Sequence, residues 1–132
     1  MSDYDYETAV DVRLRDIDFM GHVNNATYAT YLEQARNDYF RDVLGVSLVE
    51  TDTVLVSLEL EYTMPIEAGD DVTVAIRVDE LGTSSIPMTC EIRANGEQAA
   101  TARTVQVLAD PDGDGSQPLP SDWRTRIERQ GT

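Results

Sequence analysis

"DIDFMGHVNNATYATYLEQAR", residues 16–36, sets two acids, a glycine, the chain's one histidine and two asparagines ahead of a helical pattern. That pattern decides the fold. From Asn24 to Val43 the apolar positions Tyr28, Leu32, Ala35, Tyr39 and Val43 recur along one helix face. Gly45 follows as a stop, because glycine readily takes the left-handed conformation that ends helices. At 1.5 Å per residue such a helix spans ~30 Å.

Outward from this helix the period changes to two. "TAVDVRLR" puts Val10, Val12 and Leu14 on one face, and "TVLVSLELEYT" aligns Val54, Val56, Leu58, Leu60 and Tyr62. Val72, Val74, Ile76 and Val78 form a third such set, and Ile86, Met88, Cys90 and Ile92 a fourth. Pro87 in the fourth run hints at an edge or a bulge. A fifth run, "EQAATARTVQVLAD", changes phase between Ala102 and Val105, as a bulge would require. Short turn signals join the last four strands, and Asn95-Gly96 suits a tight antiparallel hairpin.

Strands of nine or ten residues at ~3.4 Å each match the helix in length. The expected fold is therefore α+β, one long helix wrapped by a curled antiparallel sheet of about five strands. One helix leaves much of such a sheet uncovered, so a homodimer or larger assembly is expected.

Past Ala109 the composition shifts. Residues 1–109 read as the main domain, and 110–132 as an acidic linker with a short amphipathic segment docking on it through Trp123 and Ile127. Asp110, Asp112 and Asp114 have the spacing that opens a calcium loop. The twelfth position is Ser121 rather than a bidentate glutamate, so a solvated linker is the better reading.

Charge excludes some functions. The chain carries 25 acids against 10 bases, a net −15, and every base is arginine. Such a surface repels nucleic-acid phosphates. Periodic apolar runs and 41% hydrophobic residues argue against disorder. The acidic coat is that of a halophilic protein needing salt to screen its self-repulsion. No apolar run approaches the ~20 residues of a membrane span, and no signal peptide is evident, so a soluble cytoplasmic protein is expected. Cys90 is alone, which rules out an intrachain disulfide and suggests a core thiol; no metal site is expected.

The loop before the helix has two readings. Asn24 or Asn25 caps the helix, Asp16 and Asp18 favour a turn, and Gly21 supplies a positive φ. On residue types alone this structural reading comes first. Placement adds chemistry: Asp18 lies just ahead of a helix start whose first amides lack intrahelical partners. Free amides at the positive end of a helix dipole stabilise an oxyanion. A carboxylate that attacks or activates water beside them is the minimum kit for acyl transfer. With no serine–histidine pair, a thioester suits the kit better than an amide.

Residues 12–36, "VRLRDIDFMGHVNNATYATYLEQAR", resemble the N-terminal signature of the 4-hydroxybenzoyl-CoA thioesterase-like family of hotdog-fold acyl-CoA thioesterases. "LELEYTMPIEAGDDVTV" extends the resemblance, which covers roughly residues 8–109. It implies hydrolysis of an acyl-CoA to a free acid and coenzyme A, with Asp18 as catalytic carboxylate and the Asn25 amide as donor to the thioester carbonyl. Gly21, His22, Val23, Asn24 and Tyr28 fall at substrate-binding positions, and Asp16 at one that shapes the loop. It implies a dimer or tetramer with the site between protomers, and no cofactor, coenzyme A being part of the substrate. The basic residues that hold coenzyme A phosphates in relatives are missing from "LGTSSIPM"; Arg77, Arg93 and Arg103 are candidate substitutes. An acyl-carrier-protein substrate or a non-catalytic acyl-CoA-binding dimer are the alternatives.

Overall fold

A computed structural model describes residues 3–131. The outermost limits of the two expected segments, residues 1, 2 and 132, lie outside the described residues. Five strands form one antiparallel sheet: β1 (Tyr6–Val10), β2 (Thr53–Tyr62), β3 (Val72–Val78), β4 (Ser85–Ala94) and β5 (Glu97–Leu108), in the order β1-β3-β4-β5-β2. The long helix α1 (Thr27–Tyr39) continues through a widened π-type turn, Phe40–Leu44. A second helix, α2 (Ser121–Gln130), closes the chain. This is the α+β hotdog architecture, a helix lying in a curled sheet that does not close.

The helical stripe packs as its period requires. Tyr28, Leu32, Ala35, Tyr39 and Val43 are all buried, and Gly45 at φ 73° ends the helix. Opposite them, Val74, Ile76, Ile86, Met88, Cys90 and Ile92 have no exposed surface or almost none. Burial pushes the Cys90 thiol up to about 12, which keeps it neutral and unreactive. β1 is fastened to the helix by the Thr8 hydroxyl, which donates to Asp38 at 2.7 Å, and by an edge-on contact of Tyr6 with Tyr39. α2 docks through buried Ile127 and through Trp123, whose ring meets Phe40 edge-on at 5.8 Å.

Four expectations need correction. β1 ends at Val10, and Leu14 is 91% exposed, because the chain winds into a 3-10 turn at Leu14–Asp16 that breaks the two-residue period. Pro87 lies in a central strand. Its carbonyl accepts from the Asp79 amide just beyond the end of β3, so its missing N–H falls on that side and interrupts no paired residue. The phase change in β5 is at Ala99, which has no partner between the pairs Ile92–Ala100 and Arg93–Gln98. From Ala100 onward Ala102, Thr104, Gln106 and Leu108 all face inward, two of them polar.

The fourth concerns β2, whose alternation promised a buried face. It is an edge strand, and Val54, Val56, Leu58 and Tyr62 are 38–59% exposed. Val56 bulges between the pairs Leu55–Gln106 and Ser57–Val105, which breaks the strand's two-residue period.

Candidate active site

The loop from Ile17 to Val23 folds back on itself through an antiparallel bridge between those two residues. Asp18 builds the turn. Its amide donates to the His22 carbonyl at 2.7 Å, and its Oδ1 accepts from the amides of Met20 (2.8 Å) and His22 (3.2 Å). A short acidic side chain standing in for a backbone acceptor is what favours aspartate here. Gly21 takes φ 80°, which a side chain would disfavour. Asp18 Oδ2 has no hydrogen bond among the described residues. The loop is anchored below by the Val23 amide, which donates to Ile66, and by the Ala68 amide, which donates to Gly21.

Asp16 does a different job. Its Oδ2 accepts from the Arg13 amide and from the Tyr31 hydroxyl, both at 2.8 Å, and its carbonyl accepts from the Asn24 amide. It ties the loop to the helix. Burial, and then the bond to Asp16, push the Tyr31 hydroxyl's pKa well above its ordinary value.

α1 begins at Thr27, three residues later than its pattern suggested, with Ala26 at the cap. The Asn24 side chain accepts from the Ala26 amide at 2.9 Å, and its carbonyl from the Thr27 amide. Asn25 is left over. It is exposed, its amide donates to nothing among the described residues, and its carbonyl accepts from the Tyr62 hydroxyl at 2.8 Å.

A small groove opens at this point between Asn25, Tyr28, Tyr62, Met64 and Pro65. Tyr28 forms its floor: the side chain is buried, and its ring meets that of Tyr62 edge-on at 4.8 Å. Of the sequence-derived substrate positions, Tyr28 lines this groove beside Asn25, whereas Gly21, half-buried His22 and Asn24 lie along the approach loop. Val23 is 2% exposed and packs in the core. Phe19, 97% exposed, and Met20, 63% exposed, follow Asp18 and stand largely clear of the other described residues.

Tyr62 was legible only as one more apolar position in an alternating strand. Arg36 was missed as well: it is 3% exposed, yet its Nε and Nη1 have no acceptor. Among the described residues no three His, Cys, Asp or Glu side chains gather into a group that could hold a metal ion. Nor is any helix long and apolar enough to cross a membrane.

A hotdog sheet whose helix start follows a carboxylate-bearing loop and borders a tyrosine-walled groove has the parts of an acyl-transfer site. The chain belongs to the thioesterase-like superfamily, which it matches across residues 12–127. It is similar to a thioesterase of Thermus thermophilus, solved with coenzyme A and Zn, at 40% identity and a TM-score of 0.88, covering 99% of this chain and 97% of that one. It is similar too to a predicted thioesterase of Bacillus stearothermophilus, at 28% identity and a TM-score of 0.85, over 95% of each chain. A sequence match at 27% identity to the uncharacterized protein YsmA of Bacillus subtilis spans 64% of this chain but only 58% of that protein.

Proposed function

We propose that this protein is an acyl-CoA thioesterase of the 4-hydroxybenzoyl-CoA thioesterase-like kind, acting in the cytoplasm as a homodimer or homotetramer. The observation that carries the reading is the junction of loop and helix. Asp18 there keeps one carboxylate oxygen out of the turn's hydrogen bonding, and the Asn25 amide has no acceptor. In the reaction the thioester carbonyl takes its hydrogen bond from the Asn25 amide. Asp18 Oδ2 attacks the carbonyl carbon or removes a proton from the water that does. The C–S bond breaks and coenzyme A leaves as the thiolate; on the route where Asp18 attacks, water then hydrolyses the mixed anhydride, releasing the acid and restoring the carboxylate. Holding Asp18 Oδ1 on two amides orients Oδ2 without consuming it.

A second copy completes the site in this reading. β2 presents an unpaired edge and exposed Val54, Leu55, Val56 and Leu58, a surface that invites another strand. Pairing β2 with itself about a two-fold axis sets the Tyr62 end of one strand beside the Thr53 end of the other. The Asp18 loop of each copy, with exposed Phe19 and Met20, then faces the groove beside α1 in its neighbour, where Val49 and Leu55 are exposed.

For the coenzyme A phosphates Arg103 is the best of the three candidates. Arg77 and Arg93 hold carboxylates at 2.9–3.2 Å, whereas the Arg103 side chain is 61% exposed and reaches Asp79 only at 3.9 Å. The test is release of free thiol from a panel of acyl-CoAs and acyl-carrier-protein thioesters, at low and molar salt. Acyl-CoA turnover is expected; tight acyl-CoA binding with no turnover on any thioester would overturn the reading.

A further inference from the structure

We propose that the groove between the outer flank of α1 and the Thr53 end of β2 binds a carboxylate at the far end of the acyl chain, with Arg36 as its counter-charge. This rests on the thioesterase reading and names the substrate class of that site: acyl-CoAs whose acyl group is itself an acid.

Arg36 projects from α1 toward the inner face of β4 and β5, and burial lowers its pKa from the ordinary arginine value without discharging it. Its Nε and Nη1 have no acceptor, and on β5 Gln106 Oε1, in the same groove, and Thr104 Oγ1 are also buried and unpartnered. These two are the polar residues on the otherwise apolar inner face of β5. A buried guanidinium with two N–H groups unpaired is unfavourable unless an acceptor, such as a carboxylate, completes it. The contrast with Asp38, the other buried charge of α1, is instructive: Asp38 accepts from Thr8, Gln34 and Arg41. Among the described residues no side chain does the same for Nε and Nη1 of Arg36; Glu33, one turn earlier, is exposed and acts on it through its charge without a hydrogen bond.

Arg36 and Gln106 both line an open groove whose wall is apolar at Leu48, Val49 and Leu55 and polar along α1, where it includes Glu33, Gln34 and Asn37. Apolar walls suit a methylene chain, and a buried guanidinium suits the carboxylate at its end. The position fits as well. Two-fold pairing of β2 brings this groove beside the helix start of the second copy, so a thioester held there can extend its chain toward Arg36. A neutral acyl chain would leave the charge as it stands.

The test compares glutaryl-, adipoyl- and suberyl-CoA with pentanoyl-, hexanoyl- and octanoyl-CoA, in wild type, Arg36→Met and Arg36→Lys. Hydrolysis is followed as kcat/KM, and the corresponding non-hydrolysable thioethers are titrated by calorimetry. Wild type should favour one carboxylated substrate over its neutral match by about 10- to 100-fold, the value of a charge-assisted hydrogen bond. Arg36→Met should erase that ratio, Arg36→Lys should keep part of it, and the Met variant should melt no lower than wild type. An unchanged ratio in Arg36→Met would overturn the inference. So would a lower melting temperature with equal loss on every substrate, because the charge would then be structural, neutralised by an acid of the second copy. If wild type hydrolyses no acyl-CoA, the thioesterase reading fails, and the thioether affinities still decide whether Arg36 selects carboxylates.

Discussion

Asp18→Asn separates the structural work of this residue from its chemistry. Oδ1 accepts two amide hydrogen bonds, from Met20 and His22, and the carbonyl oxygen of asparagine can accept both. What changes there is charge. Bonds to a charged acceptor contribute about 1.5–3 kcal/mol and neutral ones about 0.5–1.5, so the two together typically lose about 2–3 kcal/mol. Half-exposure of Asp18 lowers that figure further. The fold and acyl-CoA binding should therefore persist. Oδ2, in contrast, becomes an amide nitrogen, which neither attacks a carbonyl nor takes a proton from water. Turnover should fall at least ~10²-fold, the lower end of what removing a general base costs. Asp16→Asn is the control. Its bonds to Arg13 and Tyr31 fasten the loop to the helix, so loosening should appear mainly as a lower melting temperature. Thiol release under saturating substrate, with calorimetric binding of a non-hydrolysable acyl-CoA analogue, reads both effects. Activity that survives in Asp18→Asn and vanishes in Asp16→Asn would refute the assignment.

Asn25→Ala should spare most activity because the backbone donor survives, whereas Asn25→Pro removes it and should cost ~10²–10³ in turnover; equal large losses would implicate the side chain. With net −15, the assembly should hold in molar salt and loosen below ~0.2 M, where screening weakens; sedimentation and melting unchanged across that range would contradict this. Leu58→Lys on the exposed edge strand should dissociate the assembly and abolish turnover together, and an active monomer would refute the shared site. Burial raises the hydroxyl pKa of Tyr6, Tyr28, Tyr31 and Tyr39 above the ordinary value near 10. The unfolded chain therefore releases these protons first as pH rises. Their stabilisation is complete below pH ~10 and is lost above it, so the melting temperature should drop as tyrosinate absorbance appears. A flat melting temperature up to pH ~12 would count against buried hydroxyls.

Local chemistry was readable wherever one stretch of chain carries its own instruction. The Tyr28–Val43 stripe, the Gly45 stop and the Asn95-Gly96 turn, with Asn95 at φ 54° and Gly96 at φ 82°, each follow from spacing or from the conformations a residue tolerates. The Asp18 turn was readable for the same reason, since its bonds run only to residues two to four positions on. The sheet order was not: placing β2 beyond β5, at the far edge, depends on how the whole chain closes around α1. Alternation in β2 accordingly announced a face to be covered but not what covers it. The same limit hid Arg36 and Tyr62. A sequence shows that an arginine follows an apolar stripe; only packing shows that its side chain is buried with Nε and Nη1 lacking an acceptor. A tyrosine hydroxyl 37 positions from the carbonyl it binds is likewise invisible until the edge strand folds back against the helix start. Hydrogen bonds between distant positions are set by the closed fold, whereas periodicity and turn chemistry act before it closes.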